Sequence, residues 1–387
     1  MSGPPTLTLP PLALYVHLPW CVRKCPYCDF NSHAVQGELP AEDYVDCLLL
    51  DLERELPLVW GRPVHSVFFG GGTPSLFSAG QLERFISGCR GLLQFTPNAE
   101  ITLEANPGTV EHDSFSAYRD AGINRVSLGV QSFNNTCLSR LGRIHDFSDA
   151  LRAVESIKSA GIDNFNIDLM FALPGQSPED ALLDIRQAID CEPAHLSHYQ
   201  LTIEPNTEFH ARRPELPGED LAWEMQEACG DLLANAGFEQ YEISAWAQPG
   251  KSCLHNLNYW RYGDFIGIGA GAHGKITLPS AQQVRRRIRH RSPGAWMQGA
   301  RAGGSLAEDR ALEPKERVFE FFLNQLRLRQ GVKKAQFIGR TGVAWKDVAG
   351  RVETVIDKGL LKEQDGLLAP TDLGWRFVNE TQAAFLP

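Results

Sequence analysis

Six short runs rich in β-branched and aromatic residues recur along the first half of the chain, at 14–18, 64–69, 100–104, 125–130, 165–171 and 195–203. Each is followed by a turn signal and an amphipathic helical pattern, such as AEDYVDCLLLDLEREL or PEDALLDIRQAI. Strands joined through helices pair in parallel, by right-handed crossovers. The predicted fold class is therefore α/β, with six β-α units forming a parallel sheet curled into a partial (βα)6 barrel. Gly122 and Gly161 are placed to end two of the helices in left-handed caps, and Gly91 a third.

Parallel α/β sheets bind and react at the C-terminal ends of their strands. The chain places its polar and glycine-rich residues there. Cys21, Cys25 and Cys28 follow the first strand, and Gly70-Gly71-Gly72-Thr73-Pro74 the second. Glu104-Ala105-Asn106-Pro107 ends the third, Gln131 the fourth, and Asp168 lies on the fifth before Leu173-Pro174-Gly175. Any one of these reads equally as a structural turn. Five on one face predict a site.

After about residue 205 the pattern changes. Residues 206–220 read as an excursion, and a further strand is expected near 241–246. From about 312 helical patterns return, and Asp365-Gly366 signals a two-residue hairpin. The expected division is a barrel with its extension at 1–290 and a small helical, winged-helix-like domain at 291–387, read as a packing or protein-contact module.

Composition narrows the partners. A net charge of −10 argues against nonspecific binding to nucleic acid or anionic membranes. The basic run at 285–291 reads as a solvated face. No apolar stretch approaches the ~20 residues of a membrane span. The start, MSGPPTLTLPPLALYV, lacks the basic and apolar regions of a secretory signal, so a cytoplasmic location is expected. Six of the nine cysteines (Cys47, Cys89, Cys137, Cys191, Cys229 and Cys253) are scattered singly and read as buried small apolar residues. The other three form Cys21-Val-Arg-Lys-Cys25-Pro-Tyr-Cys28. Three thiolates in eight residues suit a soft metal centre, either an iron–sulfur cluster or a zinc ion with His17 or His33 as fourth ligand.

This CxxxCxxC, within YVHLPWCVRKCPYCDFNSH, resembles the signature of the radical S-adenosylmethionine (SAM) superfamily. FFGGGTPSL, ITLEANPGT, GVQSF, LGRIH, FNIDLMFALPGQS, LTIEPNT, YEISAWA and HNLNYWRYGDFIGIGAGAHG extend the resemblance from residue 15 to about 275. Within the superfamily the chain is similar to the HemW-type haem chaperones and their relatives, the oxygen-independent coproporphyrinogen dehydrogenases. The resemblance implies a TIM-like radical SAM barrel with a [4Fe-4S] cluster on Cys21, Cys25 and Cys28 and one iron left for SAM. It implies Tyr15, Gly71, Gly72, Thr73, Glu104, Gln131, Arg143 and Asp168 as SAM contacts, with Gly71 and Gly72 bringing backbone close to the methionine moiety.

Haem is the further ligand it implies, at His255-Asn256-Leu257-Asn258-Tyr259-Trp260. His255 would ligate iron, Asn256 or Asn258 would orient it, and Tyr259 and Trp260 would pack the macrocycle. His273 and Cys253 are alternative ligands. Without the family, the same segment reads as a core turn. The chain departs from the dehydrogenases in having Phe30 where they carry a further cysteine, and only 14 residues before Tyr15. The implied function is haem binding and transfer to an acceptor protein, with an electron donor as second partner and no nucleic acid. The rival is a radical SAM oxidoreductase acting on a porphyrin precursor. No catalytic residue is assigned.

Overall fold

The computed structural model describes residues 5–108 and 112–387. Its frame is six strands, β1 (Leu12–Leu18), β2 (Val64–Gly71), β3 (Phe95–Ala105), β4 (Arg125–Gln131), β5 (Phe165–Phe171) and β6 (His195–Gln200). They lie side by side in chain order, every neighbouring pair parallel. β6 stops short of the predicted residue 203, ahead of Pro205, where a ladder donor is missing.

The sheet stays open and grows outward to 12 strands. Beyond β6 come β7 (Glu239–Glu242) and β8 (Ala245–Ala247), both antiparallel. On the other side β9 (Asp264–Ile268) pairs in parallel with β1. Then follow β10 (His273–Leu278), β11 (Gln283–Arg289) and β12 (Leu306–Ala311), all antiparallel. β9 escapes sequence pattern because it is short and runs straight into the glycine-rich stretch Gly267–Gly271. A Cβ on Gly267 would lie 1.8 Å from the His273 carbonyl oxygen, so the close approach of β10 requires glycine there.

Amphipathic helices cover the outer face. Three of them begin with reciprocal capping boxes, Ser78/Gln81, Asp146/Asp149 and Ser177/Asp180. Gly122 (φ 107°) and Gly161 (φ 73°) follow helices in the left-handed conformation, as expected. Gly91 does not, because its helix runs through it to Leu92. The six single cysteines are buried.

Helices Pro314–Gln325, Lys334–Thr341 and Ala349–Asp357 and a three-stranded sheet build the C-terminal module around Phe321, Phe322, Phe337 and Phe385. Its hairpin turns at Asp365 (φ 53°) and Gly366 (φ 75°), both left-handed as a type I′ turn needs. β12 and the buried Trp296 belong to the large sheet and its core, so the sheet ends at Ala311 and residue 290 is not its edge.

The arginine run is not a solvated face. On β11, Arg289 is buried against Asp51 and Glu55, Arg287 meets Glu55 and Asp309, Arg286 meets Glu320, and Arg285 meets Asp309. Among the described residues, no helix is long and apolar enough to cross a membrane.

Candidate functional site

The loop after β1 is pinned at its base where Trp20–Cys21 pairs with His33–Ala34. Inside it the Cys28 amide donates to the Cys25 carbonyl at 3.1 Å. Cys21, Cys25 and Cys28 are free, half-buried and on the wall of one cavity of about 500 Å³ at the C-terminal strand ends. Burial pushes the Cys21 and Cys28 thiols above their ordinary range, so their thiolates call for a compensating cationic centre.

The zinc alternative finds no support. A zinc ion draws its sulfurs to about 2.3 Å from one point. A Cys3His zinc site would need a histidine beside the three cysteines. His17 is spent at both nitrogens, Nδ1 on the Tyr15 hydroxyl (2.9 Å) and Nε2 on the Asn31 carbonyl (2.9 Å). Since Nε2 faces an acceptor, it carries the proton, and burial lowers the ring's pKa to about 4. His33 is exposed and off the cavity. Three thiols with no fourth protein ligand fit a cluster that keeps one iron open.

Below the thiols, Glu104 accepts from the Gly71 amide at 3.2 Å. Burial, reinforced by the nearby Asp168, pushes its pKa to about 8. Asp168 is likewise raised by burial, although Ser127 (3.1 Å) and Asn166 (2.7 Å) donate to it. Two carboxyls held above their usual range on one wall fit a cationic ligand bearing hydroxyls, as SAM does. Gln131 sits at φ 70°, a left-handed strain of about 1–2 kcal/mol for a non-glycine residue, and the Tyr199 hydroxyl donates to its Oε1 at 2.7 Å. Arg143 does not seek a surface acid. It donates to the Cys25 sulfur (3.5 Å), to Asn106 Oδ1 (2.6 Å) and to the Gly129 carbonyl (2.7 Å), tying the cysteine loop to β3 and β4.

Three expectations need correction. A Cβ on Gly71 would meet the His17 ring at 2.5 Å, and one on Gly72 the Trp20 carbonyl oxygen at 2.4 Å. Glycine is therefore demanded there by the protein's own packing, before any ligand arrives. Tyr15 is not on the cavity wall. Its hydroxyl bonds His17 and its ring packs against Phe68 and His255.

The third concerns the helix Leu254–Trp260, whose first amides donate to Glu100. His255 is 1% exposed, with Nδ1 on Ser66 Oγ (3.0 Å) and Nε2 on the Tyr259 hydroxyl (3.1 Å). Burial, then Arg125, holds it neutral with a pKa of about 3. Neither nitrogen is open to iron. Tyr259 packs edge-on to Phe265, Cys253 is buried on Glu100, and His273 lies exposed outside the cavity. Only Asn256 and Trp260 reach the cavity, as its floor, while Asn258 turns away to the Asp264 carbonyl.

Asn106 and Tyr199 line the same cavity; Asn106 stands in the strand-end run read from the sequence but is given no role there, and Tyr199 is not singled out. Asn106 donates to Thr73 Oγ1 (3.0 Å) and accepts from Arg143, bridging two strand ends. Its place two residues after Glu104, at a C-terminal strand end, was the available signal.

A parallel half-barrel with three thiols in its first loop, Glu104 and Gln131 at strand ends, Asp168 within β5 and Arg143 beyond the helix after β4 defines a radical SAM protein. The Radical SAM superfamily model matches residues 15–188, and the HemN C-terminal domain matches 312–377. The chain is 49% identical to the haem chaperone HemW of Escherichia coli (strain K12), covering 98% of this chain and 99% of that one. It is 46% identical to the haem chaperone HemW of Haemophilus influenzae, covering 98% of each. The solved coproporphyrinogen III oxidase (HemN) of Escherichia coli shares the fold, with a TM-score of 0.82 at 22% identity over 97% of this chain and 90% of that one. The chain belongs to the HemW family.

Proposed function

We propose that the protein is a haem chaperone, which binds haem and hands it to an acceptor protein while carrying a [4Fe-4S] cluster and SAM in the cavity described above. The carrying observation is that Cys21, Cys25 and Cys28 share the wall of one cavity with Glu104 and Asp168. The three cysteines would hold three irons, with the fourth left for SAM. When bound, the cluster would supply an electron to the sulfonium. Glu104 would accept from the ligand's amino group, and Asp168 from its ribose hydroxyls. Arg143 steadies the Cys25 thiolate, and Trp260 and Asn256 close the floor. This reading places the protein in the cytoplasm with an electron donor as second partner, and gives the C-terminal module the contact with other proteins. We set the division between barrel and module near Ala311, where the sheet ends.

Anaerobic reconstitution followed by absorbance with and without haem, and EPR with and without SAM, tests this directly. About four irons per chain, a cluster signal perturbed by SAM, and a Soret band from about one haem are expected. Haem uptake no greater than that of an unrelated acidic protein defeats the chaperone reading.

A second reading, a radical SAM oxidoreductase acting on a porphyrin precursor, draws on one observation. The cavity continues below Glu104 and Asp168 to Asn256 and Trp260, which leaves space for a substrate. Phe30 counts against it, standing 59% exposed where the dehydrogenases carry a further cysteine. Multiple-turnover decarboxylation of coproporphyrinogen would restore it.

A further inference from the structure

We propose that haem is seated away from the cysteines, in a second cavity at the opposite ends of the strands, with His65 as the axial ligand. This rests on the chaperone reading above and adds the place. The cavity, of about 670 Å³, lies between the starts of β1 and β2, the helix Leu254–Trp260 and the C-terminal module. Its size falls within the roughly 300–1,000 Å³ of small-molecule sites. The helix divides it from the inner cavity, with Asn256 and Trp260 on one side and Leu257 and Asn258 on the other.

The chemistry of the walls selects the ligand. Arg261, Lys333, Arg340 and His65 line the cavity, and none of its lining residues is Asp or Glu, in a chain of net charge −10. Among the described residues, none hydrogen-bonds or ion-pairs with the Arg340 guanidinium or the His65 ring. Gln325, only 2% exposed, lines the same space, and its Oε1 has no partner among the described residues. Leu254, 47% exposed, joins Leu257 and Leu328 to supply apolar area.

Haem is a flat apolar ring with two carboxylates and an iron that accepts imidazole. The arginines suit the propionates, the leucines the ring face, and His65 the iron. The inner cavity suits a dianion less well, since Asp29, Glu104, Asp168, Glu204 and Glu242 face it and outnumber Arg23 and Arg143. His65 and Arg261 are exposed, so the outer cavity opens to solvent at the seam with the C-terminal module, where an acceptor can reach its contents.

The test is a haem titration of tag-free, anaerobically reconstituted protein, followed at the Soret band. His65→Ala should shift the band and weaken binding, and Arg340→Glu should weaken it about tenfold or more, while Arg340→Lys retains most of the affinity. The response of the cluster EPR signal to SAM should be the same in all variants. Far-UV circular dichroism checks the fold, and Arg261→Glu, at an exposed position, replaces Arg340→Glu if the latter misfolds. Wild-type Soret position and affinity in both His65→Ala and the charge-reversed variant overturn the placement. If the wild type takes up no haem, the chaperone reading itself fails and the placement falls with it.

Discussion

The two cavities on either side of the helix Leu254–Trp260 differ in charge and in the way the chain assembles them. The inner one gathers thiols and carboxyls from successive strand ends, and burial holds Glu104 and Asp168 above their usual range. The outer one gathers cations from the strand starts, the helix and the C-terminal module, with no carboxylate on its wall. One balancing carboxylate is set behind it. Asp264 is fully buried and bridges Arg62 and Lys275, each at 2.8 Å. The inner cavity thus mixes carboxyls with Arg23 and Arg143, while the outer one offers cations alone, in a single acidic chain. The lesson is that net charge describes neither site, because each is set by which strand ends a loop or module can reach.

The largest test of this division is removal of the thiols. Cys21→Ala, Cys25→Ala and Cys28→Ala combined should abolish cluster iron and sulfide, measured by colorimetric analysis, yet leave haem titration near wild type. Haem loss in step with iron would break the separation between the cavities.

Next in size is Asp264→Ala, which strands two buried cations behind the outer cavity. It should cost about 3–5 kcal/mol in urea unfolding. A cost below about 1 kcal/mol would show that water reaches this network freely.

On the inner side, Glu104→Gln and Asp168→Ala should each weaken SAM binding roughly tenfold, read from the EPR change. Glu104 also sets a pH dependence. Its folded pKa of about 8 lies above the ordinary 4.5, so between those values the folded, ligand-free protein binds a proton that the unfolded chain releases. Its contribution to stability therefore falls as pH rises through that window. Glu104→Gln should flatten the decline, seen in melting temperatures across pH. An unchanged slope would remove Glu104 as its source.

The smallest effect concerns the seam. Arg286 grips Glu320 through two bonds, of 3.0 and 2.7 Å, and the Tyr262 hydroxyl donates to the same carboxylate at 3.0 Å. Arg286→Ala should cost about 1 kcal/mol and weaken haem binding slightly without touching the SAM response. An effect on SAM instead would couple the two cavities.

Much of the inner site was legible because a parallel sheet turns sequence order into spatial order. Cys21, Thr73, Glu104 and Gln131 each follow or end a strand, and Asp168 lies on one, so strand polarity carries them toward one face. The alternation of strand and helix and the Asp365-Gly366 turn are local properties, fixed by side-chain period and backbone sterics. Contacts between distant segments are not local. That His255 lies buried between Ser66 and Tyr259, that Gly71 and Gly72 make room for His17 and Trp20, and that Arg285, Arg286, Arg287 and Arg289 meet the four carboxylates Asp51, Glu55, Asp309 and Glu320 was decided by packing. So was the outer cavity, whose His65, Arg261 and Arg340 are far apart in the chain. No periodicity joins them, and only the docking of the C-terminal module against the strand starts brings their charges to one space.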